Sequence, residues 1–134
     1  MSDVNHNFWM NHSEEFLEMA TDGSFNERLF KPDGYGKNLG DCGDTVEIFL
    51  HVKEGLIIDA AFDIDGCVNT YACANTVANK VRGITLEEAW DLTPETVIDY
   101  LKTLPEANHH CAELAVGALY LALSDVEKKN SSAL

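Results

Sequence analysis

The chain has 134 residues, 46% of them apolar, and nine Lys and Arg stand against 23 Asp and Glu for a formal charge of −14. That length suits one domain over residues 1–134 that buries its own core without staples. The charge argues against nucleic acid and anionic membranes, which need clustered Lys and Arg, and favours a cationic patch on another protein, although acidity alone also serves solubility.

At the N-terminus there is no basic n-region followed by an apolar h-region. No apolar run nears the roughly 20 residues of a membrane span. A cytoplasmic, reducing location is therefore expected, where four cysteines serve metal or thiol chemistry rather than disulfides. No internal repeat and no low-complexity segment is present.

Residues 7–20 predict a first helix, because Phe8, Trp9, His12, Phe16 and Met19 fall near one helical face. Asn11 and Glu14 suggest a capping box, and Asp22-Gly23 a stop. Residues 31–43 read as a loop, with Pro32, Gly34, Gly36, Gly40 and Gly43 as breakers. Over 45–52, Val46, Ile48, Leu50 and Val52 alternate with Thr45, Glu47, Phe49 and His51. Over 56–65, Leu56, Ile58, Ala60, Phe62 and Ile64 alternate with mostly polar neighbours. With Lys53-Glu54-Gly55 between them, this is a β-hairpin with one buried face and a three-residue loop.

Beyond Cys67 the period becomes helical: Val68, Tyr71, Ala74, Ala78 and Val81, with Gly83 as a stop. Thr85 to Glu88 spells a capping box for a short helix. Thr93-Pro94 opens another helix through about Thr103, and Leu104-Pro105 breaks it. A last helix runs from about 109 to 128 with a wide apolar face, and Lys128 and Lys129 suit its C-terminal dipole. The tail 130–134 is expected to fray. Together these elements make an α+β domain, a small antiparallel sheet with helices packed on one face.

The hairpin also brings cysteines together. Pairing Val52 with Leu56 places Leu50 opposite Ile58, Ile48 opposite Ala60 and Val46 opposite Phe62. Carried outward, it sets Cys42 opposite Gly66 and Asp41 opposite Cys67. Such neighbours have Cβ atoms about 4.5–5.5 Å apart. Asp44, two residues from Cys42, points the same way. Cys67 and Cys111 each open a helix, where the dipole should lower a thiol pKa and favour the metal-binding thiolate. His110 adds a nitrogen donor beside Cys111. Nothing in the pattern itself carries Cys111 to the hairpin end.

Cys42-Gly43-Asp44 before a strand, Gly66-Cys67 after the hairpin, and Leu104-Pro105 followed by His110-Cys111 opening a helix form a set, and Ala112-Glu113-Leu114-Ala115 extends it. Over residues 34–128 the chain resembles the IscU/NifU N-terminal family of iron–sulfur cluster assembly scaffolds. The resemblance implies a small sheet with helices on one face. It implies a non-enzymatic protein that takes sulfur from a cysteine desulfurase, binds iron, builds a cluster, usually [2Fe–2S], and passes it to apo iron–sulfur acceptor proteins. By position, Cys42, Cys67 and Cys111 would be the thiolate ligands, and Asp44 or His110 would take the fourth place. One chain or a homodimer could hold the cluster.

The run Gly40-Asp41-Cys42 lacks the family's Pro before the first cysteine. Leu104-Pro105-Glu106-Ala107-Asn108 lacks the second Pro and the Lys of the run that an Hsp70-type chaperone reads in many members, so that partner is not expected. Val68, Asn69, Thr70 and Tyr71 replace the usual small residues after the second cysteine. No Cys-x-x-Cys module of the longer NifU type follows.

Other readings compete. The same donors could form a structural or regulatory zinc site, and zinc could also occupy the site as isolated. One thiolate could instead carry a persulfide for sulfur transfer. The cysteines could be separate core thiols, Asp44 a turn residue, and His110 a helix-start residue with His109 a bystander. Cys73 reads as core packing, His51 as solvated, and Trp9 and Trp90 as core anchors.

Overall fold

Residues 11–132 are described by a computed structural model. The first helix there, α1 (Glu14–Thr21), is capped by Ser13, whose hydroxyl accepts from the Phe16 N–H. The cap expected at Asn11 therefore falls two residues later. Phe8 and Trp9 lie outside the described residues. Three strands follow, β1 (Gly34–Leu39), β2 (Thr45–Lys53) and β3 (Leu56–Asp65), forming an antiparallel sheet in the order β1-β2-β3. Then come α2 (Val68–Val81), α3 (Leu86–Trp90), α4 (Pro94–Leu101), one 3₁₀ turn (Glu106–Asn108) and α5 (His109–Ser132). The last helix runs beyond the expected end near 128. Thr85 with Glu88 forms the capping box of α3, and Thr93 with Pro94 opens α4.

The expected α+β architecture is present, with β1 as an addition. Gly34 and Gly36 act here as spacers rather than breakers. Both lie on the buried face of β1, opposite Leu50 and Ile48. A Cβ on Gly34 would stand 2.5 Å from the Ala122 carbonyl oxygen, and one on Gly36 2.3 Å from that of Ala118. Without side chains at these positions, α5 lies directly on the edge strand. Asn38 extends the contact by donating from Nδ2 to the Leu114 carbonyl at 3.2 Å.

The hairpin register differs from the expected one by two residues. Val46 pairs with Ile64, Ile48 with Phe62 and Leu50 with Ala60. The reversal uses only Glu54-Gly55, both at positive φ (53° and 77°), as a two-residue hairpin turn of the I′ kind requires. A bulge between His51 and Val52 absorbs one residue of β3. It buries Ile57 and leaves Leu56 and Ile58 exposed. Because the shift is even, the expected apolar face holds for Val46, Ile48 and Leu50 and for Ala60 and Phe62, but the bulge reverses it at Leu56 to Ile58.

Helix α2 lies over β3, and α5 over β1 and β2, on the face carrying Val46, Ile48, Leu50, Ala60 and Phe62. Phe16, Val77, Leu119 and Leu123 fill the space between. On the other face, Arg28 covers the Phe49 ring and pairs with Glu47 and Asp63. The outer edge of β3 is occupied at two points. Phe62 N–H donates to Phe25, and Ile57 exchanges hydrogen bonds with Gly83 and Ile84, which blunts an aggregation-prone edge. Trp90 is half-buried, stacked on Tyr120 and donating to Glu127 at 3.2 Å. His51 is engaged as well, its Nε2 donating to the Phe30 carbonyl at 2.8 Å. No described helix is long and apolar enough to cross a membrane.

Replacing Gly36 with Ala would force β1 away from α5. A loss of about 1–3 kcal/mol in stability is expected, read as a lower midpoint in urea with an unchanged slope.

Candidate metal centre

One end of the sheet collects the candidate residues. The loop Gly40–Asp44 joins β1 to β2, closed by Gly40 N–H donating to Asp44 and Gly43 N–H donating to Gly40. Gly43 has φ +91°, a value few other residues adopt. The last β2–β3 pair is Thr45 with Asp65, so Asp44 comes over Gly66. A Cβ at Gly66 would lie 2.7 Å from Asp44 Oδ2. Cys67 follows as the N-cap of α2. Cys111 sits in the first turn of α5, which the glycine contact with β1 holds against the sheet.

A carboxylate oxygen of Asp44, Cys67 Sγ and Cys111 Sγ all lie within 4.8 Å of one another. Cys42 lies outside this triad. The two-residue register difference puts Asp44, rather than Cys42, at the position facing Gly66. Cys42 is exposed and lines an open cleft of about 490 Å³ with Asp41, Leu39, Glu113 and His110. His110 Nδ1 faces the Ala107 carbonyl at 3.1 Å and Nε2 faces Cys111 Sγ at 3.7 Å. With the proton on Nδ1 donated to that carbonyl, Nε2 keeps a lone pair at the edge of the triad, the form in which imidazole binds metal.

Thr70 was not among the residues singled out from the sequence. Its hydroxyl lies 2.6 Å from Asp44 Oδ2, 3.5 Å from Cys111 Sγ and 3.7 Å from Cys67 Sγ. The side chain is fully buried. The available signal was its spacing. A hydroxyl three residues after a helix-opening cysteine shares that cysteine's turn.

The thiols are not equivalent. Burial raises the Cys67 pKa, but the N–H groups of Thr70 and Asn69 at the start of the helix oppose it, and the net shift is downward. Their geometry falls short of a formed cap hydrogen bond, yet they favour the thiolate as expected at a helix N-terminus. For Cys111 the expectation of a lowered value fails. Burial pushes its thiol up, Cys67 and Asp44 add to that, and hydrogen bonds from Thr70 and Asn108 do not compensate. Cys73 is fully buried and pushed up further, chiefly by burial. It packs in the core.

Two sulfurs and a carboxylate oxygen at this separation suit a thiophilic transition metal such as iron or zinc. They do not suit magnesium or calcium, which take oxygen ligands. Cys42 and His110 stand at the rim as further donors.

Residues 18–133 match the model of the NifU-like N terminal domain. The iron–sulfur cluster assembly scaffold protein IscU 1 of Archaeoglobus fulgidus is 36% identical over 89 residues, covering 66% of this chain and 58% of that protein. The chain thus spans a little over half the length of that relative. The scaffold protein IscU of Buchnera aphidicola subsp. Acyrthosiphon pisum is 36% identical over 89 residues, 66% of this chain and 69% of that protein. Among solved structures, the N-terminal part of a NifU-like protein from Brucella abortus superposes with a TM-score of 0.71 at 21% identity, covering 96% of this chain and 99% of that one. The chain belongs to the NifU-like N-terminal domain family.

In metal-free protein, Cys67 should reach half its maximal alkylation rate below the ordinary thiol pKa of 9.0, and Cys111 above it. Iodoacetamide labelling across pH, followed by peptide mass spectrometry, checks the order. The reverse order would contradict these environments.

Proposed function

We propose that this chain is a scaffold on which an iron–sulfur cluster is assembled and from which it passes to apo-proteins. The observation carrying this reading is the convergence of Asp44, Cys67 and Cys111 within 4.8 Å, in a member of a family whose relatives are named as such scaffolds. Cys67, its thiol pKa lowered, binds iron first. Cys111 loses its proton as metal arrives, since ligation requires the thiolate. Cys42, exposed on the β1–β2 loop, closes over the cargo as the third thiolate.

Asp44 or His110 completes the set. Two irons bridged by sulfide need four terminal ligands. Three cysteines and one of these two residues make four within one chain, so [2Fe–2S] is the form this site fits without requiring a homodimer. A hard carboxylate is a weaker ligand for cluster iron than a fourth thiolate. It marks the point where an acceptor's thiolate can enter.

Sulfur would come from a cysteine desulfurase. The acidic surface favours partners with cationic patches. The role needs no catalysis by the chain itself, and a cytoplasmic setting would keep its thiols reduced. The zinc-module and persulfide-carrier readings gain no support from the relatives' names.

Anaerobic reconstitution with ferrous iron and sulfide, followed by quantification of both, tests the proposal. Visible absorption with comparable bound iron and sulfide is expected, and Cys67→Ala or Cys111→Ala should abolish it. Uptake of the same chromophore by those variants would refute the site assignment. Asp44→Ala should slow cluster transfer to an apo-ferredoxin several-fold, because His110 then takes the fourth place and the weakest link is lost. Equal or faster transfer would remove Asp44 from that role.

A further inference from the structure

Thr70 carries more than a packing role. A hydroxyl has one proton to donate and two lone pairs. Thr70 has three polar neighbours at the site, Asp44, Cys111 and Cys67. The 2.6 Å contact to Asp44 Oδ2 is in the short range of a charge-assisted O–H···O⁻ bond. The two sulfur contacts are longer and weaker. The single proton therefore belongs to the carboxylate. Asp44 needs such an anchor. It sits at the end of a loop whose residues include two glycines, over a glycine that offers no side chain to pack against. Thr70, by contrast, is fully buried on the first turn of a fourteen-residue helix whose inner face is core.

We propose that Thr70 is the positioning residue of this centre, fixing the Asp44 carboxylate beside the two thiols so that the ligand set stands assembled before metal arrives. The proposal rests on the triad being a metal site. It assigns the fourth-ligand choice to a residue that is not itself a ligand. Held by Thr70 through Oδ2, Asp44 offers its other oxygen to the ion. Released, it swings out with its loop and leaves His110 as the remaining candidate.

Loss of an outer hydrogen bond to a metal ligand typically costs 10–100-fold in affinity. The test uses cobalt(II) alone, followed through its thiolate charge-transfer absorption in anaerobic titrations. Thr70→Val should weaken cobalt binding about tenfold or more, and Thr70→Ser, which keeps the hydroxyl, should restore it. In an Asp44→Ala background, Thr70→Val should change affinity little, since no carboxylate remains to position. Thermal melts of the metal-free variants, compared with Thr70→Ser, expose any general loss of fold.

Equal cobalt affinity in Thr70→Val, failure of Thr70→Ser to restore it, or the full loss persisting in the Asp44→Ala background would each overturn the proposal. A wild-type protein that binds cobalt with this Thr70 dependence but reconstitutes no cluster would refute the scaffold reading and leave the Thr70 assignment standing.

Discussion

Strand β1 and helix α5 meet backbone to backbone, and the position of the candidate centre depends on that contact. Gly34 and Gly36 have no side chains, and the peptide atoms of Ala118 and Ala122, with Leu121 and Val126 beside them, lie directly against them. Side chains ordinarily fill the space between packed layers and hold their backbones apart. Here the helix lies close to an edge strand, and Asn38 hydrogen-bonds to its backbone at Leu114. The N-terminal turn of α5 is thereby carried to the sheet end where the β1–β2 loop and the start of α2 already lie. Cys111 and His110 arrive at the site through this contact.

The resulting centre combines opposed electrostatic environments. Cys67 faces the N–H groups of Thr70 and Asn69 at the start of its helix, which favour negative charge. Cys111, whose Sγ lies within 4.8 Å of the Cys67 sulfur, is governed by burial and by its anionic neighbours, which oppose charge. Gathering two thiolates and a carboxylate without a cation would concentrate like charge at one spot. The Thr70 hydroxyl donating to Asp44 relieves part of that repulsion, and the raised pKa of Cys111 is its counterpart on the thiol side. A cation bound there would supply the missing charge, so assembly of the ligand set and capture of metal would be linked.

Much of this was legible in the sequence, and the failures have physical causes. The alternation over 45–52 and 56–65 identified the hairpin and its buried face, because the period of two holds whatever the register. The register itself is not encoded by alternation alone. The turn uses Glu54-Gly55 alone, with Glu54 at positive φ, and a bulge after His51 absorbs a residue. That difference exchanged Cys42 for Asp44 at the position facing Gly66. Strand β1 was hidden because Gly34 and Gly36 look like breakers until a helix is known to lie on them. The Ser13, Thr85 and Thr93 caps are local, but only the last two follow an uninterrupted pattern. Cys111 reaches the site through tertiary contacts that no local period encodes. Thr70 shares a helical turn with Cys67, but its role comes from contacts to Asp44 and Cys111, 26 and 41 residues away, which no local spacing encodes.

The donors of the triad come from three separate stretches of chain. Thr70, on the same turn as Cys67, is 26 residues from Asp44 and 41 from Cys111. In polymer terms, an ion held there is a cross-link that closes two long loops at once. The chain has already borne the entropy of closing those loops when it folds, whereas an unfolded chain would have to close them to bind. Any ion that prefers the folded site therefore raises the melting temperature with its concentration. Thermal stability becomes a gauge of occupancy, readable without colour, sulfur or a partner protein.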